Sequence, residues 1–69
     1  MTHGERWEHI QAAARRIVED VQAHPLVTMR QAVAHEFSTY RIQWDAVFRT
    51  MKADALTALS AAVDQQMAA

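Results

Sequence analysis

Apolar side chains recur along this chain at helical intervals and nowhere alternate over the length of a strand. Trp7, Ile10, Ala14, Ile17 and Val21 are separated by 3, 4, 3 and 4 residues, which lines them along one side of a helix. Ala13 and Val18 widen the stripe, and Glu5, Glu8, Arg15, Glu19 and Gln22 fall on the other side. Thr2 and Glu5 have the spacing of a capping box. Pro25 lacks an N–H and pushes His24 toward extended backbone, so it ends the element. The pattern predicts a helix over 3–23. Arg15–Glu19 and Arg16–Asp20 lie four residues apart on it, pairs worth about 0.2–0.5 kcal/mol each.

A second, shorter helix is predicted over 29–37. Thr28 and Gln31 repeat the capping spacing, and Met29, Val33 and Phe37 recur every four residues with Ala32 beside them. Val27 is placed to staple the first turn. A helix this short needs neighbours to persist. Ser38 and Thr39 are the expected break. No Gly or Pro follows, so a third helix is predicted over 40–67, roughly 42 Å long at 1.5 Å per residue. Its first stripe is Trp44, Val47, Phe48, Met51 and Ala55. A second stripe, Leu56, Leu59, Val63 and Met67, is rotated from the first. The expectation is therefore all-α, a long–short–long three-helix assembly whose third helix overhangs the first. A kink at Asp54 is the lesser alternative, since Asp competes for backbone N–H groups.

Composition agrees with this. The 69 residues include one Gly, one Pro and 14 Ala, and Ala is the strongest helix former. A chain of this length makes one domain, 1–69, and buries only about 60% of its unfolded surface. With no Cys, neither a disulfide nor a thiolate metal site can supplement the core. Self-association is the remaining device, so a homodimer is expected.

Net charge is −1, too little to draw the chain to nucleic acid or anionic lipid in bulk. Residues 25–52 carry +2 (Arg30, Arg41, Arg49 and Lys52 against Glu36 and Asp45), and residues 53–69 carry −2. No apolar run approaches the roughly 20 residues of a membrane span. The segment Met1 to Glu8 mixes charges and has no hydrophobic stretch, unlike a signal peptide. Cytoplasmic residence without membrane contact is the expectation.

Residues 29–49 resemble a helix-turn-helix, with Ala34 as the small residue, Ser38 at the turn, and Val33, Phe37, Trp44 and Val47 packed. The resemblance implies a dimeric DNA-binding transcriptional regulator. Arg41, Gln43 and Arg49 would then face base edges, with Arg30 and Lys52 on phosphates. Three features count against it. The turn has no Gly, Trp44 is bulky for the motif, and Asp45 would meet the phosphate backbone. Arg41, Asp45 and Arg49 also form a ladder that needs no ligand. Trp7, Phe37, Tyr40, Trp44 and Phe48 lack the dense basic setting of a base-stacking platform and read as core. The four His are read as surface groups. Glu5 and His9, even with His3, lack the spacing of a structural zinc site, and no catalytic constellation is legible. No enzyme activity, cofactor or metal is expected. The apolar line Leu56, Leu59, Val63 and Met67 is the candidate protein interface. The leading reading is a small non-enzymatic interaction module: a dimeric adaptor, inhibitor or accessory regulator.

Overall fold

Among residues 2–68, which the computed structural model describes, the chain forms α1 (His3–Ala23), α2 (Met29–Thr39), α3 (Arg41–Met51) and α4 (Asp54–Ala68). No strand occurs among the described residues, and no helix there is long and apolar enough to cross a membrane.

Both expected capping boxes form. Thr2 Oγ1 accepts from the Glu5 N–H at 3.2 Å, and Glu5 Oε2 accepts from the Thr2 N–H at 3.1 Å. Thr28 and Gln31 make the same reciprocal pair at 3.2 and 3.0 Å. His24 leaves the helical region (φ −127°, ψ 86°) and closes α1 ahead of Pro25. A following proline disfavours helical backbone at this position.

The path after Phe37 departs from the expectation. α2 continues to Thr39, and Tyr40 alone joins it to α3. The Tyr40 N–H donates to Glu36 O at 3.0 Å, and the Trp44 N–H donates to Tyr40 O at 3.1 Å. Helical bonding therefore reaches the joint from both sides.

More consequentially, the expected helix over 40–67 is two helices. Lys52 adopts φ 55° and ψ −136°, a left-handed backbone that costs a side-chain-bearing residue about 1–3 kcal/mol. Just before it, the Thr50 hydroxyl donates to Ala46 O and Val47 O at 2.9 and 3.0 Å, a back-bond that weakens and bends a helix's last turn.

Packing accounts for the break. With the chain turned at Lys52, α4 returns along α1, which makes its most extensive helix contact. Ala55, Leu59, Ala62 and Val63 are then buried with Ile10, Ala13, Ala14 and Ile17. Full burial of Leu59 and Val63 contributes about 1.5–3 kcal/mol each, which exceeds the strain at one residue. Small side chains on both helices let the backbones approach. Gln66 Nε2 donates to Gln11 O at 3.1 Å, fixing the last turns of α4 against the N-terminal half of α1. The apolar line of α4 therefore does not overhang.

Aromatic packing fills the other end of the core. Trp44 on α3 is buried, with Phe37 edge-on at 4.6 Å between centroids and Phe48 tilted at 5.9 Å.

Lys52→Gly should stabilise the chain by about 0.5–1 kcal/mol, because glycine enters the left-handed region without steric cost. A urea melt followed by circular dichroism measures this. A lower midpoint for Lys52→Gly would show that residue 52 is not left-handed in solution.

Candidate protein-interaction site

The interface candidates on α4 divide by depth. Leu59 and Val63 are buried, whereas Leu56 and Met67 are about half exposed (50% and 47%). Leu56, Leu59 and Val63 line a groove rather than a flat strip, and Met67 is not among its lining residues. α2 presents Met29 and Val33 to the same hollow, which Leu56, Leu59, Ser60, Val63 and Asp64 complete with about 100 Å³ of room. Leu56, Ser60, Val63 and Met67 are spaced by 4, 3 and 4 residues, so Met67 lies one turn beyond Val63 on the same helix line. Sequence periodicity found the α4 side of this groove. The α2 side was missed because Met29 and Val33 read equally well as ordinary core.

An ion pair sets the orientation of α2. Glu36 is 3% exposed, and its carboxylate receives Arg16 of α1 on both oxygens, Nε to Oε2 at 3.1 Å and Nη2 to Oε1 at 2.5 Å. The Arg16 guanidinium also lies 4.2 Å from the Tyr40 ring centre, a cation–π contact. Its pKa is raised chiefly by the Glu36 hydrogen bond. Arg16 therefore does not pair with Asp20, as its spacing suggested; Asp20 approaches His24 at 3.9 Å instead. Since Ala32 and Glu36 face α1, the neighbouring positions Met29 and Val33 are left for α4. The outer edge of Arg16 opens on a shallow hollow of about 350 Å³ with Glu19, Asp20, His35 and Thr39. Its mixed charges favour no one ligand sign.

His9 does not behave as the surface group expected of it. It is partly buried and meets Trp44 edge-on, with centroids 4.9 Å apart and planes at 70°. Burial lowers its pKa, the charge of Arg16 lowers it further, and Glu36 opposes both. Glu5, its suggested co-ligand, is engaged at the helix cap. The side chain of His3 falls outside the described residues.

The nucleic-acid candidates Arg30, Arg41, Gln43, Arg49 and Lys52 are all exposed. Arg41 and Gln43 are two residues apart on α3 and point to nearly opposite sides. Asp45 lies between Arg41 and Arg49 on one face. Arg30 is in the first turn of α2, about 16 Å along the helix from the α3 joint. That joint is one residue, against the three or four of a helix-turn-helix turn. Trp7 (50%), Leu26 (96%) and Ile42 (85%) are the other large apolar groups left in solvent. They lie outside the residues that line the groove.

No family model, curated protein or solved structure matches the chain.

Two outcomes follow from this geometry. Arg16→Ala leaves the Glu36 carboxylate buried and unpaired and should cost about 3 kcal/mol, the low end for a buried pair because Arg16 is one-third exposed. The double variant Arg16→Met, Glu36→Leu should recover most of that loss in the same denaturant melt. A single variant as stable as the parent would show that the pair does not organise α1 against α2. For His9, the folded pKa lies below the unfolded value near 6.5. The stability from holding it neutral is fully present above that value and is lost as pH falls through it toward the lower folded pKa. Thermal midpoints should therefore drop across mildly acidic pH in the parent and drop less in His9→Phe. Identical pH profiles would place His9 in solvent.

Proposed function

We propose that the chain is a small non-enzymatic protein-interaction module, an adaptor, inhibitor or accessory regulator that acts as a homodimer. The observation that carries this reading is the apolar groove between α2 and α4. Its floor, Leu59 and Val63, is part of the core, and Leu56 and Met29 at its edge reach solvent. Such a continuous apolar surface edged by polar groups, here Ser60 and Asp64, is the usual mark of a protein contact.

The occupant we assign is a second copy. The accessible surface is 4855 Å², roughly a tenth above the about 4,400 Å² of a compact monomer of this mass. The core alone is small, and no disulfide supplements it. Charge is also complementary. Asp64 lines the groove, and Arg30 stands one helical turn from Val33 on α2. In a two-fold contact centred on the groove these opposite charges are available to pair between copies. The scattered placement of Arg30, Arg41, Gln43 and Arg49 favours this reading over DNA binding.

Sedimentation equilibrium at micromolar concentration should give twice the 7.8 kDa chain mass. Leu56→Glu should weaken association about ten- to hundredfold, because half-buried leucines are lost on both sides of a symmetric contact. Its helicity should remain that of the parent. Leu59→Ala, in the core, should instead lower stability by about 2–5 kcal/mol. A parent that stays monomeric well above micromolar concentration would overturn the reading.

A further inference from the structure

We infer that α4 is an exchangeable element: by opening at Lys52–Ala53 it leaves its own α1 and packs on α1 of a second copy. This is independent of docking at the groove, because it rests on the strained tether rather than on exposed apolar surface. Three observations carry it.

First, the tether is two residues long, Lys52 and Ala53, and Lys52 is held left-handed at φ 55°. A short strained hinge is the condition under which chains swap elements, since opening removes the strain. Second, nothing in the segment Met51 to Asp54 prevents a straight helix, for it contains neither Gly nor Pro. Residues 41 to 68 would then form one helix about 42 Å long. The longest dimension of the folded chain is 34 Å. A straightened α3–α4 therefore projects beyond its own body and takes Leu59, Ala62 and Val63 away from Ile10, Ala13 and Ile17. Third, α4 is held by side-chain packing and the Gln66–Gln11 bond, all of which a second copy supplies identically. Two chains that exchange α4 regain each of these contacts, and both Lys52 residues relax. The cost is the lost freedom of joining two molecules, which falls as concentration rises.

Two single-cysteine chains test this, one with Gln11→Cys and one with Gln66→Cys, the latter lengthened by a tag. They are mixed at high concentration, melted and cooled together, then treated with a short bismaleimide. Exchange places residue 66 of one chain on residue 11 of the other, so a covalent heterodimer of distinct mass is expected. Lys52→Gly in both chains, which relaxes the closed hinge, should reduce the yield about tenfold, while Leu56→Glu should leave it unchanged. Absence of the heterodimer, indifference to Lys52→Gly, or loss with Leu56→Glu would each overturn the inference; the last would trace the cross-link to groove docking. If the cysteine variants do not fold, sedimentation of the cysteine-free chain before and after the same cycle decides. A dimer that appears after cooling, dissociates slowly on dilution and is suppressed by Lys52→Gly is expected. No such species, or one equally abundant with Lys52→Gly, overturns exchange.

Discussion

The seam between α1 and α4 is built from short side chains. Ala13 and Ala14 on one helix and Ala55 and Ala62 on the other belong to one buried cluster with Ile10, Ile17, Leu59 and Val63. Small residues let two helices approach closely and the larger ones fill what remains, which is how a chain of 69 residues assembles a buried core. The rest of the architecture follows from making this seam. The chain must reverse after α3, so Lys52 accepts an unfavourable backbone. α2 must occupy the flank that α4 leaves open, so Glu36 is buried against Arg16. The groove then lies between α2 and α4, with the buried Leu59 and Val63 as its floor.

The polar elements serve the same constraint. A carboxylate buried beside the core would be costly alone, but the two-pronged contact with Arg16 satisfies both oxygens and ties α1 to α2 in one register. Because Arg16 also rests on Tyr40, the pair reaches the joint between α2 and α3. From there the aromatic group of Phe37, Trp44 and Phe48 continues the packing. His9 closes that group from α1, and burial there lowers its pKa.

Much of this was legible in the sequence where the controlling forces are local. Thr2 and Thr28 announced both helix starts through their capping partners, and Pro25 announced the end of α1. The all-helical composition was equally plain. The break at Lys52 carried no Gly or Pro signal, because its cause is distant: burial on α1 outweighs the local preference to stay helical. A trace of it existed in the rotation of the α4 stripe, Leu56, Leu59 and Val63, relative to Trp44, Val47 and Met51. Arg16 and Glu36 stand twenty residues apart. Spacing rules could only offer Arg16 the nearer Asp20 and leave Glu36 with the surface charges. Half the groove was readable from α4 periodicity. The other half depends on how the Arg16–Glu36 pair orients α2.

The central claim is that α4 lies on α1 of the same chain because the helix stops at Lys52. Nuclear Overhauser spectroscopy on a dilute sample tests it most directly. Methyl contacts from Ile10 and Ile17 to Leu59 and Val63, a contact between the Gln66 side chain and Gln11, and a gap in sequential helical contacts at Lys52–Ala53 are expected. Unbroken helical contacts from Arg41 to Ala68, with no cross-peaks between α1 and α4, would contradict it.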